Sequence, residues 1–173
     1  MPAPSIFAIG LEHRVVVGLA ELVVSNNPSA ILTTYSLGSC LGVAIYDPVV
    51  KVGGLLHAML PDSTIDPAKA AAQPGMFLDT GLPALLREAT GLRADKRRLR
   101  IYVVGGAQIM DDNNVFNIGS RNCAAAAQFL SRENLRAEAQ QVGGHVNRTM
   151  YFSIQTGRLT LKVSGLQNEM ILC

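Results

Sequence analysis

The sequence predicts a strand-rich α/β (α+β) fold in which mixed β-sheet packs against about two main helices. Short runs rich in Val, Ile and Leu fill the N-terminal half, two later stretches have helical spacing, and a compact hairpin signal lies near the end. The order lacks the strict β-α-β alternation of a doubly wound fold. The 173 residues, 49% of them hydrophobic, are most simply one domain, 1–173, with a sizeable core.

The strand-rich N-terminal half contains five short apolar runs. Turn residues separate several of them, as at Asn26-Asn27-Pro28 and Asp47-Pro48. The proline-rich segment 61–75 that follows is expected to form a loop or a short lid. The five predicted strands are Arg14–Leu19, Glu21–Val24, Ala30–Thr34, Leu41–Tyr46 and Val52–Met59.

Two helices are predicted from apolar residues at helical spacing. The first stops at Gly91, and the second begins with Ser120 as its N-cap. We interpret Cys123, on the stripe of the second helix, as a core residue. The apolar positions are Leu82, Leu85, Leu86 and Ala89 in the first helix and Cys123, Ala126, Ala127 and Leu130 in the second.

Three further strands are predicted in the C-terminal half. Arg100–Val104 is an apolar run that ends at Gly105-Gly106. Met150–Gln155 and Arg158–Val163 are joined by Thr156-Gly157, which is a compact hairpin signal. We expect these strands to complete the mixed sheet.

Composition excludes several classes of function. The net charge of +2 is too small to indicate a nucleic-acid-binding protein. No stretch reaches the ~18 uncharged apolar residues of a membrane helix, and the N-terminus lacks the charged start of a secretory signal, so we expect a cytoplasmic protein without membrane insertion. The three cysteines form no C-x-x-C pair and indicate neither a disulfide framework nor a zinc site.

Basic residues are locally dense after the first predicted helix. One interpretation is a solvated helix end and loop. The other is a docking patch for an acidic protein surface. The residues concerned are Arg87, Arg93, Lys96, Arg97, Arg98 and Arg100.

Cys40 and His57 stand seventeen positions apart, each close to glycine residues. A free thiol is only a few per cent thiolate at pH 7, but a neighbouring imidazole can take its proton. The segment between them, an apolar run, a turn and a return run, has the form that would bring them together. The pair is therefore a candidate nucleophile and general base.

Strand parity and turn residues add partners to this pair. Thr33 and Thr34 point to opposite faces, so at most one of their hydroxyl groups can orient the imidazole. Gly38 and Ser39 precede Cys40 and permit a tight turn whose N–H groups could hold an oxyanion. From spacing alone the ordinary interpretation, a buried core thiol and a structurally satisfied histidine, stays open beside the catalytic one.

Several ordered segments resemble the CheD family of chemoreceptor glutamine deamidases. A match in several blocks along almost the whole chain is more specific than any single block. The matching segments are Leu37–Pro48, Gly53–Pro61, Val103–Met110, Asn117–Asn122, Val142-Gly143-Gly144 through Arg148, and Thr156-Gly157.

The resemblance implies an α/β sandwich fold and a Cys-His-Thr triad, with Cys40 as nucleophile, His57 as base and Thr34 as the orienting hydroxyl. It implies a cysteine hydrolase, a protein-glutamine glutaminase that converts glutamines of methyl-accepting chemotaxis receptors to glutamate without metal or organic cofactor. Some family members are also bound by a CheC-type phosphatase of the chemotaxis pathway.

The chain departs from the family pattern in three places. Met76-Phe77-Leu78 stand before Asp79, where the family usually has a basic residue and a tyrosine. Gln141 replaces an aspartate, and Asn147 replaces a glycine. Because Asn tolerates a left-handed backbone, we expect position 147 to keep its turn. We expect the other departures to lie away from the triad and to affect substrate binding more than chemistry.

Two alternatives to deamidation remain. The chain could be a non-catalytic chemotaxis module that docks a CheC-type phosphatase or receptors, although docking alone needs no activated thiol. It could instead catalyse another thiol acyl transfer, of the transglutaminase or peptidase type.

Overall fold

The computed structural model describes residues 13–109 and 116–173, which form ten strands and three α-helices with short 3-10 turns. The helices are α1 (Pro67–Ala72), α2 (Leu78–Gly91) and α3 (Ile118–Arg132). The strands are β1 (His13–Val16), β2 (Leu22–Ser25), β3 (Ala30–Leu37), β4 (Leu41–Asp47), β5 (Val52–Ala58), β6 (Arg100–Gly105), β7 (Ala139–Val142), β8 (Arg148–Ser153), β9 (Leu159–Val163) and β10 (Met170–Ile171).

The strands form two five-stranded mixed sheets. The first has the order β1-β3-β8-β9-β10 and the second β2-β5-β4-β6-β7. Pairing is antiparallel except between β1 and β3 and between β6 and β7. The predicted fold class, mixed β-sheet in a sandwich with flanking helices, is confirmed.

Two cores explain the layered arrangement. Side chains from both sheets, among them Leu32, Leu55 and Phe152, share one core between the sheets. The opposite face of the second sheet packs against α2 and α3 in a second core that includes Leu56 and Leu85. Because the second sheet is covered on both faces, every residue of β4 and β5 is buried.

The β4–β5 hairpin sets the register of the candidate residues. Gly42 pairs with His57 near its open end, and Asp47 pairs with Val52 near its turn. Alternation along β5 directs His57 to the same face as Leu55, which belongs to the core between the sheets. The imidazole is thereby aimed at the first sheet, away from the helices.

Most predicted elements are present, but α3 and the segment 61–75 differ from the prediction. Asn117, in a left-handed conformation, is the N-cap of α3, one turn before the expected Ser120. The buried face of α3 includes Asn122 and Ala126, whereas Ala127 is exposed. The segment 61–75, expected to form a loop or a short lid, contains the short helix α1, which begins at Pro67.

The dense basic residues are largely engaged within the chain. Arg98 pairs with Asp47, and Arg97 pairs with Asp95. Lys96 pairs with Glu133 on the segment after α3. These ion pairs favour the solvated structural interpretation over the docking patch.

A helix that crosses a membrane must be both long and apolar. Among the helices of the described ranges, none is both long and apolar enough to cross a membrane.

Candidate active site

The N–H and the carbonyl of His57 both form hydrogen bonds to the turn that precedes β2. Its N–H donates to the carbonyl of Glu21 at 3.0 Å, and its carbonyl accepts from the N–H of Ala20 at 2.8 Å. The side chain is 5% exposed. Burial lowers the pKa of His57 to about 4, so the imidazole is neutral at pH 7.

The contact between Thr34 and His57 determines which ring nitrogen carries the proton. Thr34 Oγ1 lies 2.7 Å from His57 Nδ1 and 2.7 Å from the carbonyl oxygen of Val17. A hydroxyl has one proton, and the Val17 carbonyl can only accept, so Thr34 donates to Val17 and accepts from Nδ1–H. The neutral ring therefore has its lone pair on Nε2.

His57 Nε2 is buried, and it has no hydrogen-bond partner among the described residues. A buried nitrogen with a free lone pair costs stability unless a ligand or a reaction uses it. Because Nδ1 donates its proton to Thr34, the same Nε2 atom is the one that carries the basic lone pair. The ring is thus prepared to accept a proton.

Cys40 lies in the turn between β3 and β4, half-buried and without a disulfide. Cys40 directly precedes β4, in which Gly42 pairs with His57, so extending this register would place Cys40 diagonal to the histidine. It packs against the core between the sheets, to which β5 also contributes. Burial raises the pKa of the Cys40 thiol. Both groups therefore favour their neutral forms.

The turn that carries Cys40 is fixed through its carbonyl groups. The carbonyl of Gly38 accepts from the N–H of Ala107 at 2.8 Å, and that of Cys40 from the N–H of Gly106 at 2.8 Å. Between them, the carbonyl of Ser39 accepts from Asn122 Nδ2 at 2.9 Å. Because C=O and N–H point in opposite directions across a trans peptide, the N–H groups of Ser39 and Cys40 point away from these donors.

Two glycines allow this packing for different reasons. Gly105 has φ of +113°, and a Cβ there would lie 2.3 Å from the Cys40 carbonyl oxygen. Gly38 has no positive φ, so the turn there uses the small size of glycine and not a left-handed backbone. A Cβ at Gly38 would lie 3.0 Å from Ile109 Cδ1. The left-handed residue nearest to the turn is Ser36, close to the end of β3, with φ of +55°.

A cavity of about 380 Å³ opens beside the thiol. Its lining combines apolar side chains with hydroxyl and amide groups. Such a mixture suits an amide at the end of a short methylene chain. The lining includes Ser36, Ser39, Cys40, Ile109, Phe116 and Asn147.

Two of the departures from the family pattern, Asn147 and the segment 76–78, lie close to this site. Asn147 lines the cavity, and its φ is not positive, so the expected left-handed turn at position 147 is wrong. The carbonyl of Met76 accepts from the N–H groups of Met59 and Leu60, just beyond His57. Arg148, which lies on β8, has its Nη2 3.4 Å from Gln141 Oε1.

Asn122 is a site residue to which the sequence pattern assigned no role. Its side chain is fully buried, and Nδ2 donates to the carbonyls of Ser39 at 2.9 Å and Met59 at 3.0 Å. The available signal was a polar residue on the buried face of a helix.

Comparison with known proteins identifies relatives over most of the chain. Residues 59–163 match the CheD family model, described as CheD chemotactic sensory transduction. "Probable chemoreceptor glutamine deamidase CheD 1" of Syntrophus aciditrophicus (strain SB) is 48% identical over 151 residues, 87% of this chain and 94% of that protein. "Probable chemoreceptor glutamine deamidase CheD" of Solibacter usitatus (strain Ellin6076) is 44% identical over 159 residues, 92% of this chain and 94% of that protein.

Among solved structures, a Neisseria meningitidis protein of the DUF152 family superposes with a TM-score of 0.39 and 13% sequence identity. The superposition covers 75% of this chain and 62% of that protein. This likeness is too distant to carry a conclusion.

Proposed function

The chain belongs to the CheD family, and from this membership we propose that it hydrolyses the side-chain amides of specific glutamines in methyl-accepting chemotaxis receptors. The products are receptor glutamate and ammonia. The enzyme is a cysteine hydrolase in which Cys40 is the nucleophile, His57 the general base and acid, and Thr34 the residue that orients the imidazole.

The observation that carries this proposal is the hydrogen bond from His57 Nδ1 to Thr34. It leaves the lone pair on Nε2, the nitrogen without a protein partner in the described ranges. The register of the hairpin supports Cys40 as the proton donor, because Cys40 directly precedes the strand in which Gly42 pairs with His57. A thiol, an unprotonated imidazole nitrogen and an orienting hydroxyl are the parts that nucleophilic catalysis requires.

The first step joins proton transfer to attack. Burial raises the pKa of Cys40 and lowers that of His57, so the resting pair is a neutral thiol and a neutral imidazole. His57 Nε2 takes the thiol proton as Sγ bonds to the glutamine amide carbon. The carbonyl π electrons move to oxygen, which becomes an oxyanion.

The oxyanion is held by the N–H groups of Ser39 and Cys40, with Gly38 forming the turn that presents them. Their orientation follows from the donors that bind the carbonyls of Gly38 and Ser39 on the other side of the turn. Such fixed donors act most strongly where charge develops, and one of them contributes about 3 kcal/mol to transition-state stabilisation.

The later steps release ammonia and then glutamate. His57, now an imidazolium, gives its proton to the departing nitrogen as the C–N bond breaks, which leaves a thioester on Cys40. A water molecule then attacks the thioester carbonyl while His57 removes a proton from it. The C–S bond breaks, the thiol recovers its proton, and the receptor has gained one carboxylate.

Other expectations from the resemblance accompany this proposal. Docking of a CheC-type phosphatase and a cytoplasmic location stay predictions. The reaction as written uses the thiol, the imidazole, backbone N–H groups and water.

The test incubates the purified protein with the cytoplasmic fragment of a chemoreceptor from the same organism. Ammonia release is measured, and peptide mapping by mass spectrometry locates modified glutamines. Deamidation adds roughly one dalton to a peptide, whereas amine transfer adds the mass of the amine and proteolysis cuts the chain. We expect deamidation at a small set of glutamines.

Two variants connect the activity to the site. Cys40→Ala should lower ammonia release at least about 10⁴-fold, since a catalytic unit that loses its nucleophile retains little rate. Cys123→Ala is the matched control, because Cys123 is also a half-buried free thiol. Substantial activity in Cys40→Ala, or intact receptor glutamines with the wild-type protein, would contradict the proposal.

A further inference from the structure

Asn122 connects the two segments that carry the proposed nucleophile and base. It lies on α3, and both protons of its Nδ2 are used, one on the carbonyl of Ser39 and one on the carbonyl of Met59. Ser39 directly precedes Cys40, and Met59 follows His57 by two residues. One buried amide group thus joins the turn before the thiol to the strand end after the imidazole.

The orientation of this amide follows from its partners. Two carbonyl oxygens face the same atom, so that atom must be the NH₂ group, because an oxygen there would face two acceptors. The other end, Oδ1, is buried, and it has no partner within the part of the chain that the structure describes. An unpaired buried acceptor costs stability, which a simple packing role would avoid with an apolar side chain.

The bond to Ser39 also determines where the next N–H points. The Ser39 carbonyl and the Cys40 N–H belong to one trans peptide, and they point in opposite directions. A donor from α3 that holds this carbonyl therefore turns the Cys40 N–H to the other side of the turn. The turn carries Cys40, whose cavity would receive the substrate amide.

We propose that Asn122 is a positioning residue that holds the Ser39–Cys40 peptide in the orientation in which the Cys40 N–H serves as an oxyanion donor. The inference rests on the proposed function, since it assigns a part of the same reaction. Asn122 contacts neither substrate nor the reacting atoms and acts through the peptide that it binds. Without it, the peptide can rotate, and the thiol loses its fixed oxyanion donor.

The test compares amide hydrolysis with alkylation of the same thiol. Hydrolysis forms an oxyanion, whereas alkylation of Cys40 by iodoacetamide is a displacement at an sp³ carbon and forms none. In Asn122→Ala we expect kcat on the receptor fragment to fall about 100-fold, with KM within about threefold, because this donor acts only in the transition state. The alkylation rate of Cys40 should stay within about threefold of wild type.

A second variant and a control keep the outcome clear. Asn122→Leu fills the same space without the amide, so it tests the inference if the alanine variant is poorly folded. Gln128→Ala removes an exposed amide from the same helix and should leave both rates unchanged. Thermal unfolding of each variant verifies that it is folded under assay conditions.

Each result decides between a positioning role and its alternatives. Wild-type kcat in Asn122→Leu overturns the inference. Equal losses in hydrolysis and alkylation also overturn it, because they indicate general disruption of the site. A wild-type protein that modifies no receptor glutamine overturns the proposed function and with it this inference, whereas active wild type with active Asn122 variants overturns the inference alone.

Discussion

Two groups of buried polar side chains lie at opposite ends of the β4–β5 hairpin, about 17 Å apart along the strands. At the open end, His57 pairs in register with Gly42, close to Cys40. At the turn end, Asp47 pairs with Val52. Both ends bury a titratable side chain, but only one of the two satisfies it with hydrogen bonds.

The carboxylate of Asp47 is fully surrounded by donors. Its side chain is 0% exposed and accepts from Arg98 Nη2 at 2.7 Å, from the N–H of Asp95 at 2.8 Å and from the N–H of Val49 at 2.9 Å. Burial alone would raise the pKa of Asp47, but the bonds from Arg98 and the two N–H groups outweigh it and lower the pKa to about 2.

The open end retains an unused hydrogen-bonding atom. His57 has a partner for Nδ1 and none in the described ranges for Nε2, and Asn122 likewise has an unpaired Oδ1. Polar groups whose hydrogen bonds are all formed within the protein stabilise the fold, but they have no free donor or acceptor for a ligand. Hydrogen bonds therefore fix the hairpin at its turn end, whereas its open end retains polar atoms that can bind or react with a ligand.

Replacing the fully hydrogen-bonded carboxylate of Asp47 should lower the stability of the protein but not its activity. Asp47→Asn places an amide against Arg98 and removes a charge-assisted network, so we expect the free energy of unfolding to fall by roughly 2–4 kcal/mol. Activity of the folded protein on the receptor fragment should stay within about twofold. Urea denaturation gives the stability, and ammonia release gives the activity.

The control for this effect is an exposed ion pair in the same cluster. Arg97, whose side chain is 88% exposed, pairs with Asp95, and because solvent screens an exposed ion pair, Arg97→Ala should leave the free energy of unfolding close to the wild-type value. If Asp47→Asn were as stable as wild type, the turn end would not be the fixed end of the hairpin.

Removing the hydroxyl that orients the imidazole should affect the open end alone. Thr34→Val keeps the shape of the side chain but no longer accepts from His57 Nδ1, so both tautomers of the ring become accessible. We expect kcat/KM to fall about 10- to 100-fold, because a misdirected catalytic group loses this much. Thr34→Ser retains the acceptor and should lose less than about tenfold. Initial rates of ammonia release measure both.

The neighbouring threonine offers a matched control. Thr33 is equally buried but lies on the opposite face of β3, where its hydroxyl faces the carbonyl of Ile31 at 3.4 Å. Thr33→Val should retain the wild-type rate. Equal losses at positions 33 and 34 would mean that the strand, and not the Thr34 hydroxyl, supports activity.

Much of the fold was predictable because its signals are local. The hairpin of β4 and β5 follows from two apolar runs around Asp47-Pro48, and α2 follows from its apolar spacing. β7 was missed because Ala139–Val142 contains two glutamines and pairs only at the edge, in parallel with β6. The start of α3 was misjudged because a left-handed Asn117 has no side-chain cap bond to signal it.

The candidate site was predictable in part for the same reason. Parity could limit the orienting threonine to one of two, and the resemblance selected Thr34, which contacts His57. Asn122 could not be assigned, because its partners are backbone carbonyls 63 and 83 positions away in sequence. The catalytic roles of Cys40, His57 and Thr34 stay predictions for the experiments above.

The smallest expected effect concerns pH and the unprotonated state of the buried imidazole. The proposed mechanism requires the base form of His57, and burial lowers the pKa of His57 to about 4, so we expect protonation to remove activity only as pH falls through about 4. At pH 5.5 an imidazole with its ordinary pKa of about 6.5 would be about one-tenth neutral, whereas His57 remains almost wholly neutral. We therefore expect kcat/KM at pH 5.5 to stay within about twofold of its value at pH 7.5.

Asp47 does not limit this measurement, because its lowered pKa makes its contribution to stability present above about pH 3.8 and lost only as pH falls toward 2. The lowered pKa of His57 acts earlier: the unfolded chain takes up that proton first, so the free energy of unfolding decreases as pH falls from about 6.5 toward 4. Steady-state rates between pH 4.5 and 8 on the receptor fragment, with circular dichroism at each pH, separate catalysis from unfolding. A tenfold loss centred near pH 6.5 with the protein still folded would mean that the reacting imidazole is solvated. The imidazole of His57 would then not be the buried, unprotonated group that distinguishes the open end of the hairpin from the turn end at Asp47.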